Sequence, residues 1–469
     1  MVRISAIVRA DNGGLGTLSS LFAHGLGFHR TISLSRIAGE HHPERFGEKN
    51  EGGRMNDESD IPNSSFILLP SSFPSNRHAG DGRVTPELVE WACRGADVLL
   101  SFETWYGDTV PAMAHALGVK TALVPMVECC PREDFGLPDT DLAICPHAMC
   151  LDEMRDQTPG LSRAVKTLLP PPCDVERIEF HQRGEARVFV HHVGHAGSSD
   201  RNNTSKVIAA WQYVTTPAQL VLRSQNDLPH LPDDSRISVV RGSPANYWEM
   251  WNEGKDEGKD EGGRMKDESG TPNSSFILHP SAFRNPSSVG DVYLHPHRWE
   301  GCGLPIYEAL ASGMPVMTTR WWPFCDEREE GKDEGGRMKD EPGTPNSSLI
   351  LHPSAFRNQG WLPPSSQALS IEVTARRPWT VFRQVMSHET TPRAIAEAVD
   401  RIYGTDLTSA SRESRDWAEA HSWRTQATVW RQLFEDLAAG RLGDAPEETS
   451  GLVLVSQALN RCPETAEGK

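Results

Sequence analysis

The chain has 469 residues and a net charge of -17 at neutral pH, a balance that excludes a nonspecific grip on nucleic acid or an anionic membrane as its organising activity. Its nine cysteines are odd in number and form no CxxC pair, which argues for reduced thiols over a disulfide framework. No run reaches the roughly 18 apolar residues of a membrane span and no leader-like segment precedes the first strand, so a cytoplasmic protein with at most peripheral membrane contact is expected.

In chain order, residues 3–9 read as an apolar strand, followed by Asp11-Asn12-Gly13-Gly14-Leu15-Gly16 and a helix over 17–24. This is a βα turn whose glycines let the backbone approach a ligand, although it lacks the full dinucleotide fingerprint. A block opening at Glu51 and carrying Asn63-Ser64-Ser65 recurs near-identically at 261–280 and 334–358. The irregular spacing rules against a solenoid, and the copies read as surface inserts at about 48–76, 253–285 and 329–358, their charged halves loops. Without them about 390 residues remain, enough for two ordinary α/β domains.

Residues 96–102 read as a strand, 109–117 as a helix, and 120–127 and 141–145 as strands. Strands alternating with helices imply a parallel sheet whose ligands gather at the carboxyl ends of its strands. Those ends carry Glu103, Trp105, Tyr106 and Glu128 as acceptor-side candidates, with ordinary surface-loop residues as the plain alternative. Asp139-Thr140-Asp141 has an Asp-x-Asp form but introduces a strand, so it reads as a cap. Pro170, Pro171 and Pro172 stop both helix and sheet and mark a linker.

The second half restarts with a strand over 186–193, in which His191 and His192 read as structural. A turn carrying His195 and Arg201 leads into a helix over 204–211 that holds Lys206, and strands over 218–223 and 237–241 follow, then a short helix over 247–251. Residues 291–294 form an apolar strand ending at His295-Pro296-His297. Glu300, Gly301, Cys302 and Gly303 then make a tight turn, Leu304-Pro305 opens a helix that stops at Gly313, and 315–318 restarts a strand. This βαβ unit points helix N-terminal amides at an anion. Glu300 in the turn and Glu308 on the helix can approach one ligand from different heights, each accepting two hydroxyl hydrogen bonds; an acid stabilising its helix dipole is the plain alternative. His295 and His297 lack a third ligand at a familiar spacing, so no metal is expected. Residues 391–403 and 423–437 are amphipathic helices.

Glu300 and Glu308, with Gly301, Gly303, Pro305, Ala309, Gly313 and Pro315 in register, resemble the Glu-x7-Glu signature of retaining, nucleotide-sugar-dependent GT-B glycosyltransferases of the group 1, family 4-like kind. The resemblance implies an α/β fold with two Rossmann-like domains facing a cleft, to which this chain adds its three repeated loop insertions. Residues 1–168 would be the acceptor domain, 174–385 the nucleotide-sugar domain, 386–440 helices crossing back to the first domain and 441–469 a tail. It implies transfer of a sugar from a nucleotide-diphosphate sugar to a hydroxyl acceptor on a glycan, lipid or small molecule, with no cofactor beyond that co-substrate. By resemblance Glu308 binds the ribose, Glu300 the transferred sugar, and Gly301, Cys302, Gly303 and Leu304 the donor phosphates; Gly14 and Gly16 form the glycine loop opposite, and Arg223, Ser224 and the Ser243 to Tyr247 loop are candidate neighbours of the base. Relatives clamp the diphosphate with Arg and Lys, where this chain has His195 and Arg201, with Lys206 in reserve. A histidine is cationic only in part near neutrality. A catalytically impaired nucleotide-sugar-binding protein, a nucleotide-sugar epimerase, a sugar phosphorylase and, least favoured, a Rossmann dehydrogenase are the alternatives.

Overall fold

The computed structural model describes residues 2–10, 14–34, 75–78, 83–126, 139–147, 150, 164–194, 200–224, 228, 231–241, 251, 290–320, 362–378 and 386–442. The repeated blocks at 253–285 and 329–358, nearly all of the first one and the tail lie outside them.

Strands β1 (Ile4–Arg9), β2 (Arg30–Leu34), β3 (Ser75–His78), β4 (Val98–Glu103), β5 (Lys120–Pro125), β6 (Leu142–Cys145) and β7 (Val165–Leu168) form a seven-stranded sheet in the order β3-β2-β1-β4-β5-β6-β7. Every adjacent pair is parallel. β1 and β4 are buried along their whole length, which is why they read as unbroken apolar runs and do not alternate. Helices α1 (Gly14–Leu26), α2 (Pro86–Cys93) and α3 (Val110–Ala116) fill the crossovers, α1 starting at Gly14 rather than Thr17. Asp141 caps the sheet as read: its carboxylate accepts from the Thr121 amide at 2.8 Å and from His115 Nε2 at 2.9 Å, joining the starts of β5 and β6.

A second, five-stranded parallel sheet contains β8 (Val188–Gly194), β9 (Gln219–Ser224), β10 (Ile237–Arg241), β11 (Val292–His295) and β12 (Val316–Thr318), in the order β10-β9-β8-β11-β12. Helices α4 (Thr204–Ala210), α5 (Leu304–Ala311) and α6 (Pro364–Ala368) belong to this half, and β13 (Ala375–Pro378) pairs antiparallel with β14 (Met386–Glu389). Each sheet grows outward from its first strand and then jumps to the other side. The strand order therefore reverses between β1 and β4 in one and between β8 and β11 in the other, the places where open α/β sheets receive ligands. The α/β class of two Rossmann-like sheets expected from the GT-B resemblance is the observed one.

Helices α7 (Pro392–Ile402), α8 (Thr408–Ala420) and α9 (Trp423–Ala438) end the described chain. The proline linker is buried, and Cys173 after it donates its amide to the His421 carbonyl at 2.8 Å. α9 then packs on α1: the Phe22 ring meets Trp430 edge-on at 4.7 Å, Trp423 at 5.3 Å and Phe102 of β4 at 5.1 Å. Aromatic pairs in this geometry add to their burial, so the last helix shares a core with the first sheet.

Candidate functional site

The turn after β11 is held from both sides. Thr318 Oγ1 donates to the His295 carbonyl at 2.8 Å and Thr319 Oγ1 to the His297 carbonyl at 3.0 Å, so the neighbouring strand fixes the backbone beyond the sheet. Gly303 has φ 75°, a left-handed conformation that favours glycine, and turns the chain straight into α5, with Pro305 in its first turn. Glu300 is buried, and its Oε2 accepts from His297 Nδ1 at 2.6 Å and His295 Nε2 at 3.1 Å. The Tyr293 hydroxyl donates to His295 Nδ1 at 3.2 Å, which leaves Nε2 as the protonated nitrogen. The two imidazoles stack with centroids 3.4 Å apart. Among the described residues no hydrogen bond reaches Glu300 Oε1.

Burial opposes ionisation of Glu300, but the charge of Arg201 and the two ring N–H donors outweigh it and hold the carboxyl well below the usual range. Burial likewise keeps His295 and His297 neutral, with Arg201 adding to the effect. The Arg201 guanidinium lies over the Trp299 ring, 4.9 Å from its centroid, a placement that suits a planar cation beside a ligand. Glu308 is buried on α5. Burial and then the charges of Glu300 and Glu308 push the Tyr293 phenol well above its ordinary value, so the fields of both carboxylates meet on one side chain.

His147, which follows β6 of the first sheet, reaches this turn. The Cys150 amide donates to its Nδ1 at 3.1 Å, so Nε2 carries the proton, and it lies 3.1 Å from the Glu300 carbonyl and 3.0 Å from that of Gly301. Burial lowers its pKa to about 4. Nothing in the local sequence around His147 marks it, because its partners lie 153 and 154 positions away.

The remaining candidates are placed as follows. Lys206 donates to Glu389 Oε2 of β14 at 2.5 Å, in a cluster where Arg298 lies at 3.6 Å and Arg377 at 3.4 Å from the same carboxylate. Burial would raise Glu389, but Lys206, Ser387 and Arg298 pull it down to about 2. Glu103 accepts from the Tyr106 hydroxyl at 2.6 Å and faces Arg9 at 3.7 Å. Trp105 is core, its indole N–H donating to Thr140 Oγ1 at 3.0 Å. Gly14 and Gly16 form the start of α1, and Cys302 and Leu304 are buried beside Gly303. Arg223 and Ser224 are buried at the end of β9. His191 is structural as read, its ring nitrogens engaged by the Leu294 carbonyl at 3.0 Å and Thr204 Oγ1 at 2.9 Å. His195, Glu128 and the 243–247 loop lie outside the described residues.

His295 and His297, read as short of a third ligand, stand beside Glu300, and one ligand-type atom from each of the three lies within 4.8 Å of the others.

No protein-family model matches the sequence, and no curated protein matches it. Solved structures similar in fold include a sucrose-phosphate synthase from Thermosynechococcus elongatus, with 12% identity over 94% of this chain and 100% of that one and a TM-score of 0.48. A glycosyltransferase from Rickettsia africae ESF-5 shows 9% identity over 93% and 98%, with a TM-score of 0.47. Anabaena HepE, solved in complex with UDP, shows 9% identity over 94% and 100%, with a TM-score of 0.47. No helix of the described residues is long and apolar enough to cross a membrane.

Proposed function

We propose that the protein transfers a sugar from a nucleoside-diphosphate sugar to a hydroxyl acceptor with retention of anomeric configuration. The observation that carries this reading is Glu300, an ionised, buried carboxylate at the β8/β11 reversal whose Oε2 is held by two neutral imidazoles while Oε1 takes no hydrogen bond from the described residues. In this reading Oε1 accepts from sugar hydroxyls and positions the donor, acting as an orienting group and not as a nucleophile. Departure of the diphosphate builds negative charge, which Arg201 and the amides at the Gly303 end of α5 stabilise. Glu308 accepts from the ribose diol.

One observation favours a second reading, a nucleotide-sugar-binding protein of the same fold with impaired chemistry: Lys206, the reserve cation for the diphosphate, is committed to Glu389. Calorimetry with UDP and GDP followed by turnover with a panel of nucleotide sugars and acceptors separates the two. Binding with transfer supports the first, binding without transfer to any acceptor the second, and conversion of the donor alone points to an epimerase. Glu308→Ala is expected to weaken nucleotide binding about tenfold, roughly 1.4 kcal/mol, with the circular dichroism spectrum unchanged. Undiminished affinity would remove the ribose role of Glu308.

A further inference from the structure

The end of β11 also assembles a set of transition-metal donors. His295 and His297 alternate on one short segment, Glu300 turns back over them, and its Oε2 sits 3.1 Å from one ring nitrogen and 2.6 Å from the other. We propose that this turn binds a single divalent cation of the zinc class through His295 Nε2, His297 Nδ1 and a carboxylate oxygen of Glu300.

Two imidazoles and one carboxylate suit Zn2+, Co2+ or Ni2+, whereas Mg2+ and Ca2+ take mostly oxygen donors. Three protein ligands leave a coordination position open, as in zinc sites that exchange a water or a ligand. The ring nitrogens that would ligate now lie against Glu300 Oε2, so their N–H protons must shift to the opposite ring nitrogens or leave when the ion binds. Outer contacts already orient the set: Tyr293 at His295 Nδ1, Thr318 and Thr319 at the histidine carbonyls, and His147 at the Glu300 carbonyl. Arg201 opposes the ion, because its guanidinium lies over the ring of Trp299, which follows Arg298 between His297 and Glu300 in this turn, and like charges repel.

The metal inference does not rest on the donor reading. Where Glu300 does bind the transferred sugar, ion and donor compete for one carboxylate, and each weakens the other by the same factor.

The test uses the full chain, stripped with a chelator and kept reduced, and reads metal content after equilibration with Zn2+ and the visible absorption of the Co2+ form. One equivalent of Zn2+ is expected, with affinity falling about 100-fold or more in His297→Gln and rising in Arg201→Ala, a gain that a purely structural cluster would not show. The Co2+ spectrum should lack the thiolate charge-transfer band that cysteine binding produces. Zn2+ held equally by wild type and His297→Gln, or no retained Zn2+, overturns the proposal; should His297→Gln fail to fold, Glu300→Gln must lose the metal instead. Nucleotide binding is titrated separately on metal-free protein, so nucleotide without metal sinks this inference alone, and metal without nucleotide sinks the donor reading alone.

Discussion

At the reversal point of the first sheet, between β1 and β4, Glu103 takes the Tyr106 hydroxyl at 2.6 Å and faces Arg9 at 3.7 Å, all three side chains buried. At the corresponding point of the second sheet, between β8 and β11, Glu300 takes two neutral imidazoles on one oxygen and keeps its charge under the influence of Arg201. Glu103 and Tyr106 adopt φ of 68° and 57°, a region costly for residues with a side chain, and their mutual hydrogen bond with the Arg9 charge offsets that strain locally. The same topology thus closes one buried carboxylate into an ion pair and leaves the other, equally buried, with an oxygen that accepts no hydrogen bond from the described residues. Strand order selects the place in both sheets; the direct partner differs, Arg9 of the same sheet for Glu103 and two imidazoles for Glu300.

The largest expected effect separates the regions by acid. His147, His191 and His421 are buried with pKa values lowered by burial to about 4 each, from 6.5. Between those values the unfolded chain binds protons that the folded chain does not, so stability is complete above pH 6.5 and is lost as pH falls toward 4. Each group costs at most about 2 kcal/mol by pH 5. His147 and His191 support the second reversal point, and His421 precedes α9. Hydrogen exchange, corrected for intrinsic rates, should therefore rise first in β8, β11 and α9 and later in β1 and β4. Urea midpoints that stay flat from pH 7 to pH 5 would break this part of the comparison.

Next in size is Glu103→Ala, which removes the carboxylate facing buried Arg9 and is expected to cost about 3 kcal/mol of stability, read as a lower urea midpoint with nucleotide affinity unchanged. Unchanged stability with collapsed acceptor turnover would make Glu103 an acceptor group and erase the distinction drawn between the two carboxylates.

The βαβ unit around Glu300 was legible because each of its signals is local: a buried parallel strand is an unbroken apolar run, Gly303 and Pro305 punctuate the turn, and Gly313 stops the helix. The strand read over 291–294 is Val292–His295, and the strand read over 315–318 is Val316–Thr318. β2, β3 and β7 were not read, since Arg30–Leu34 and Val165–Leu168 are short and mix polar with apolar residues and Ser75–His78 is polar. Trp105 shows a limit of another kind: an aromatic at a strand end looks the same in sequence whether it faces a ligand or, as here, Thr140 and the core. The reach of His147 to Glu300, and of Lys206 to Glu389 across 183 positions, is tertiary and leaves no periodic trace.

The smallest and most discriminating effect is expected from Glu300→Gln, which keeps the size of the side chain and removes its charge. The amide oxygen can still accept from one imidazole, so the turn should survive and stability change by less than about 1 kcal/mol. What the substitution removes is a charged acceptor for sugar hydroxyls, and loss of donor positioning should lower turnover about 100-fold with little change in nucleotide affinity, because the nucleotide is assigned to Glu308. A fall in stability like that expected of Glu103→Ala would mean that Glu300, too, serves chiefly to hold its own sheet together; the imidazoles would then be its structural partners, and the contrast between the two reversal points would collapse into one repeated device.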